Sequence, residues 1–269
     1  MIRFISLSSG SSGNSYYIGD QEVSFLIDAG IGARTIKKRL LEYGISIDSI
    51  DFILVTHDHS DHIKHLVSVS ERFLKPVVAT ELLFRSLEKH PHSKGGIKRF
   101  KKTVEKEIPF VFKDVSITAF DVPHDATENL GYFIDFRGEK FTFVTDLGRF
   151  TQRVADFCKI SNHIIIESNY DAHMLDSGNY PSYLIDRIRG GRGHLSNLET
   201  ALAVRGVYHQ KVRNIFLCHL SDNNNTPELA FEATKNALCE LGVNVGQDVH
   251  LSCLPRKSHV CHIIKAEGR

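Results

Sequence analysis

Long apolar runs are missing from this 269-residue chain, and no stretch approaches the roughly 20 apolar residues that a bilayer-crossing helix requires. No membrane partner is therefore expected. Cysteine is scarce: Cys158, Cys218, Cys239, Cys253 and Cys261 are scattered, odd in number and without a CxxC pair. That spacing argues against a disulfide framework and for reduced thiols in a cytoplasmic protein. The opening residues 1–6, MIRFIS, make a short strand, too brief for the apolar region of a signal peptide. An excess of one charge is missing too. With 33 basic and 32 acidic residues the formal net charge is +1, so any attraction for a polyanion must come from local patches or bound cations. Linkers, low-complexity tracts and short repeats are absent, and 42% hydrophobic with 24% charged residues describes an ordinary globular protein. A single domain spanning 1–269 is expected.

What is present is a succession of short apolar strands with helices between the later ones. Strands are predicted over 2–7, 15–18, 23–28 and 50–55, with a helix over Ala33–Glu42. A helical stretch after His62 ends before Pro76, and a strand at Val77–Ala79 leads into a helix over 81–89. Further strands are predicted at Val115–Asp121, Leu130–Phe136, 140–146, His163–Glu167, 212–218, 249–253 and 259–264. Helices are expected within 171–189, over 197–208 and over Pro227–Cys239. Such an order suggests two facing sheets with helices outside both.

The densest chemistry lies in the run His57-Asp58-His59-Ser60-Asp61-His62, directly after the apolar strand 50–55. Histidines two apart point the same way along extended chain and can grip one ion, while the adjacent Asp61-His62 pair turns towards a second. His124, Asp146 and His219 also stand at the carboxyl ends of apolar strands. Strand ends converging on one rim make a plausible pocket floor, and metal binding is the expectation for this set.

These residues resemble the metallo-β-lactamase superfamily of αββα hydrolases. The His-x-His-x-Asp-His signature matches His57, His59, Asp61 and His62, and the distal motifs match His124, Asp146 and His219 in order. The resemblance implies a four-layer αββα sandwich, α/β in class, with two facing mixed sheets and helices outside. It implies that His57, His59 and His124 hold one divalent ion. Asp61, His62 and His219 would hold the second, with Asp146 bridging and Asp28 orienting the ligand loop without touching metal. Two ions about 3.5–4 Å apart can share an activated water as nucleophile. Mixed imidazole and carboxylate ligation favours Zn²⁺ and also accommodates Mn²⁺ or Fe. The second histidine, His59, departs from the Glu of oxygen-reducing diiron relatives, and Ile63-Lys64-His65 departs from the two glycines usual in glyoxalase-type thioesterases.

Three more segments, 8–15 (SSGSSGNS), 167–171 (ESNYD) and 192–197 (RGHLSN), resemble the YycJ/WalJ-like branch, which is associated with exonuclease action on DNA. By that likeness the chain hydrolyses phosphodiesters, with nucleic acid, DNA foremost, as substrate partner. Asp61 and His194 are the catalytic candidates, His194 as leaving-group acid. Ser196, Asn197 and Arg192 are candidate phosphate contacts at a helix N-terminus, where Ser196 or Asn197 could equally be a plain N-cap. The basic run 98–102 could follow a phosphate backbone, although charge runs usually form solvated surface. A small cyclic phosphodiester or a thioester is the alternative substrate. A non-catalytic scaffold is disfavoured, since it has no use for an open dinuclear ligand set.

Overall fold

The computed structural model describes residues 1–265. In chain order its strands and helices are β1 (Ile2–Ser8), β2 (Ser15–Gly19), β3 (Ser24–Ile27), α1 (Ala33–Glu42), β4 (Phe52–Leu54), α2 (Ser60–Ile63), α3 (Leu66–Phe73), β5 (Val77–Ala79), α4 (Glu81–Leu87), β6 (Lys101–Thr103) and β7 (Phe110–Phe112). They continue with β8 (Val115–Asp121), β9 (Leu130–Phe136), β10 (Glu139–Val144), α5 (Gln152–Cys158), β11 (His163–Glu167), α6 (Ala172–Ser177), α7 (Ser182–Arg189), α8 (Asn197–Val207), β12 (Asn214–Cys218), α9 (Pro227–Cys239), β13 (His250–Cys253) and β14 (Val260–Ile264). The strands form two seven-stranded sheets, ordered β14-β1-β2-β3-β4-β5-β6 and β13-β12-β11-β10-β9-β8-β7. The chain divides into two compact units. The first holds Met1–Val115, Ala126–Leu130 and the segment from Pro255, and the second holds Ser116–Asp125 and Gly131–Leu254.

In the first unit β1 pairs antiparallel with β14 and β2, and β2 with β3, whereas β3, β4, β5 and β6 run parallel. β3 and β4 are buried along their whole length, which explains their unbroken apolar sequences FLI and FIL. Phe25 stacks on Phe52 across this pair, centroids 5.0 Å apart. The crossover between them contains α1, whose Ala33, Ile36 and Leu40 share one face and are buried. Because β3 and β4 point the same way, Asp28 and the histidine run leave the sheet at the same end.

The second unit repeats that logic. β10, β11, β12 and β13 are parallel, with α5, α6 to α8, and α9 in the successive crossovers. Val144, Ile164, Ile166, Ile215 and Leu217 from the strands share a core with Val154, Val204 and Leu238 from the helices. Asp146, Glu167 and His219 therefore emerge together at the carboxyl edge of three neighbouring strands, the place where open α/β sheets carry their ligands.

Two strands, β6 and β7, were not expected. Each has three residues and is only partly buried, so neither shows an apolar alternation. β6 takes up the end of the basic run. Lys101 pairs with Glu81 at 2.8 Å and Lys98 with Glu88 at 3.6 Å, so part of that run is neutralised by α4 and the residue after it. Among the described residues no helix is long and apolar enough to cross a membrane.

Candidate metal centre

Residues 55–59 join the end of β4 to the start of α2, with His59 as N-cap in the β region. The His57 and His59 rings stand 4.7 Å apart, and one turn of α2 swings His62 back to 4.1 Å from His57. Asp28, fully buried and held at φ 62°, accepts from Thr56 N (2.8 Å), Thr56 Oγ1 (2.8 Å) and His62 Nδ1 (2.7 Å). The Thr56 hydroxyl gives its only proton to Asp28, so it can only accept from His57 Nδ1 at 3.0 Å. The network thus assigns Nδ1–H to both His57 and His62 and leaves Nε2 of each ring with its lone pair, the state a metal ligand needs.

Asp61 is fixed from the other side. Asn14 Nδ2 donates to Asp61 Oδ2 (3.0 Å) and faces His62 Nε2 (3.0 Å), while Asn14 N donates to Asp61 O (2.7 Å). Gly30 N donates in turn to Asn14 O at 2.8 Å. No side chain fits at Gly30, since a Cβ there would lie 1.7 Å from Asp61 O. Asp58 turns away from this group and ties the loop to Ser86 and Thr127. Burial pushes its carboxyl up, but these hydrogen bonds prevail and hold it below its ordinary value.

In the second unit Glu167 is the hub. Its Oε2 accepts from Leu147 N (2.9 Å) and Leu195 N (3.0 Å), and its Oε1 from His194 Nδ1 (2.6 Å) and His219 Nδ1 (3.3 Å). Burial alone would favour neutral forms. The mutual attraction of Glu167 and His194 outweighs it, depressing the carboxyl and raising the imidazole. Asp146, Glu167, His194 and His219 each present a ligand atom, all within 4.8 Å of one another. His124 donates from Nδ1 to Gly193 O at 2.9 Å, which turns its Nε2 towards Asp146 Oδ1, 3.8 Å away. His219 is held at φ 54°, a left-handed backbone uncommon outside glycine, and Asn169 Nδ2 donates to its carbonyl at 2.8 Å.

Each unit thus supplies imidazole nitrogens and carboxylate oxygens, with backing hydrogen bonds on the non-ligating atoms. This donor chemistry fits a divalent ion of the zinc, manganese or iron type. His57, His59, Asp61 and His62 lie together in the first unit, and His124, Asp146, His194 and His219 in the second.

The helix-start candidates are differently placed. Ser196 is the N-cap of α8 in a capping box with Glu199. Asn197 accepts from Ser168 Oγ (2.7 Å) and donates to Asn225 Oδ1 (2.8 Å), inside a buried amide network. Arg192 is exposed. Sequence reasoning overlooked Glu167 and Asn14 as site residues. Glu167 carries the same signal as Asp146 and His219, a polar residue closing an apolar strand. Asn14 has no comparable signal, because its partners are 47 and 48 positions away.

The sequence profile of the Beta-lactamase superfamily domain matches residues 24–219, a span that contains every candidate metal-ligating residue named above. Over 247 residues the chain is 34% identical to Exodeoxyribonuclease YycJ of Bacillus anthracis, covering 91% of this chain and 92% of that one. It is 32% identical over 246 residues to Exodeoxyribonuclease WalJ of Streptococcus pneumoniae, covering 91% of each. Among solved structures, the metallo-beta-lactamase fold protein YhfI of Bacillus subtilis superposes with a TM-score of 0.70 at 13% identity, over 97% of this chain and all of that one. Two mixed sheets with their helices, an ordered set of histidine and carboxylate donors and these similarities lead to one assignment: the chain belongs to the β-lactamase superfamily with the metallo-β-lactamase fold, in its YycJ/WalJ family.

Proposed function

We propose that this protein is a metal-dependent exodeoxyribonuclease, working as a single domain with two divalent ions. His57, His59 and His124 would hold one ion, and Asp61, His62 and His219 the other, with Asp146 shared. Zinc is the first choice, with manganese or iron as substitutes. When bound, such ions polarise the phosphodiester and make water nucleophilic near neutral pH.

The chain's own groups supply the rest. Asp28 and Thr56 keep Nε2 of His57 and His62 deprotonated. Asp61, steadied by Asn14, takes up a proton from the attacking water. His194, with Nδ1 tied to Glu167, holds a proton at Nε2 and delivers it to the departing sugar oxygen. Arg192 contacts the phosphate of the strand, while Ser196 and Asn197 set the start of α8 beside it. The five scattered cysteines, without a CxxC pair, suit a cytoplasmic setting.

The clustering of His194 with Asp146, Glu167 and His219, which close three adjacent strands, carries this reading, and the similarity to two exodeoxyribonucleases directs it to DNA. The test uses protein purified without chelator, its metal content, and digestion of end-labelled duplex. D146A should lower the cleavage rate at least about 100-fold, as loss of a shared ligand implies, with an unchanged circular dichroism spectrum. Full activity in D146A would reject the proposal.

A further inference from the structure

Two arginines outside the donor sets meet beside His124. Arg149 and Arg192 are both exposed, and neither has a hydrogen bond or ion pair to any described residue. Their neighbours differ in this. Arg187 is tied to Asp125, and Arg189 to Asp176. The segments bearing the unpaired guanidinium groups are held together by backbone. Gly148 N donates to Pro123 O at 2.7 Å, and His124 Nδ1 donates to Gly193 O at 2.9 Å, so residues 148 and 193 both bond to the 123–124 segment. Between them the chains touch directly: a Cβ at Gly148 would lie 2.5 Å from Arg192 Cα. Gly193 is equally constrained, since a Cβ there would fall 2.2 Å from the carbonyl oxygens of Arg187 and Ile188. The Arg149 side chain passes along this loop, its Cδ 3.8 Å from where a Gly191 Cβ would stand.

Two glycines that admit no side chain therefore bring two unneutralised cations to one place, two residues from the donor His194 and three from the donor Asp146. Here Asp125, Asp176 and the carbonyl of Ala172 serve the flanking arginines and leave this pair open. A planar guanidinium matches a phosphate oxygen pair, and two of them match consecutive phosphates of one strand. We infer that Arg149 and Arg192 form a clamp on the DNA backbone next to the scissile phosphate, setting strand position. This rests on the nuclease reading and extends it to a positioning residue, Arg149, and to a role for Gly148.

The test measures binding of a fluorescent single-stranded oligonucleotide to the zinc-loaded protein across a salt series, alongside cleavage by the wild type. R149A and R192A should each weaken binding about 10-fold, and each should lower the slope of log affinity against log salt by about 0.7, the single-strand value for one phosphate contact. R149K should restore the slope, because Lys keeps the charge, without restoring all of the affinity. G148A should weaken binding as well, since it pushes the Arg192 segment aside. Unfolding midpoints of the arginine variants should match the wild type, as both side chains are exposed. If the wild type cleaves DNA while R149A/R192A keeps its affinity and salt slope, the clamp is wrong and the nuclease reading stands. If the wild type does not act on DNA, both fall together.

Discussion

Replacing Asp28 with asparagine, D28N, changes one atom and one charge at a residue expected to touch no metal, yet it should weaken metal binding. Asp28 accepts three hydrogen bonds, and Oδ2 alone takes those from Thr56 Oγ1 and His62 Nδ1. Asparagine keeps one acceptor, which satisfies Thr56 N. Its amide then points two protons at groups that formerly donated. His62 relieves the clash by moving its proton to Nε2, and the Thr56 hydroxyl turns towards His57 Nδ1, which drives the His57 proton to Nε2 as well. Both ligating nitrogens become protonated. Losing such backing groups costs about 10- to 100-fold in metal affinity, or about 1.4–2.8 kcal/mol. A stability loss of about 1–3 kcal/mol accompanies it, the cost of one buried donor left without a partner. The assay is competition for zinc against a chromophoric chelator, with urea unfolding of the metal-free protein run in parallel. A D28N protein that is destabilised but binds zinc as tightly as the wild type would show that Asp28 only braces the fold and would refute the tautomer argument.

Two other perturbations follow from the same geometry. G30A forces a Cβ to 1.7 Å from Asp61 O, so the loop carrying Asn14 and the turn of α2 must separate; urea unfolding should show a loss of about 3 kcal/mol or more, and wild-type stability would contradict it. His163 is buried between Glu139 and Asn214, and burial lowers its pKa despite Glu139. The folded protein thus favours the neutral ring, and its contribution to stability, complete above about pH 6.5, is lost as the pH falls below that value. H163Q should reduce the drop in unfolding free energy between pH 7.5 and 5.5 by up to about 1.4 kcal/mol per pH unit, and an unchanged drop would assign it to other groups.

The fold was legible where strands are buried on both faces. FLI, FIL and the III of HIIIE are unbroken apolar runs because these strands meet side chains above and below, and each ends beside a polar residue that marks the sheet's carboxyl edge. β6 and β7 escaped because short, half-exposed strands share their composition with loops. The ligand candidates carried a local signature in residues 57–62, but their support did not. Asn14 reaches Asp61 across 47 positions, and nothing in SSGSSGNS announces that partner. Ser196 was one of two candidate N-caps in the sequence, and the structure shows it capping α8, with Glu199 closing a capping box that the sequence reading did not mark. Glu167 looked like the end of a strand. Only its four acceptor contacts reveal that it governs the two histidines beside it.

The pairing of β1 with β14 has a consequence for how the molecule is made. Ile2 lies opposite Ile264, so β1 must wait for a strand about 260 positions further along the chain to cover its flank. Until then β1 presents a bare row of backbone donors and acceptors to any passing extended chain. Such distant closure slows folding and lengthens the interval in which nascent copies can stick to one another. A chain cut shortly before Val260 should therefore be insoluble, although it still carries every proposed metal ligand.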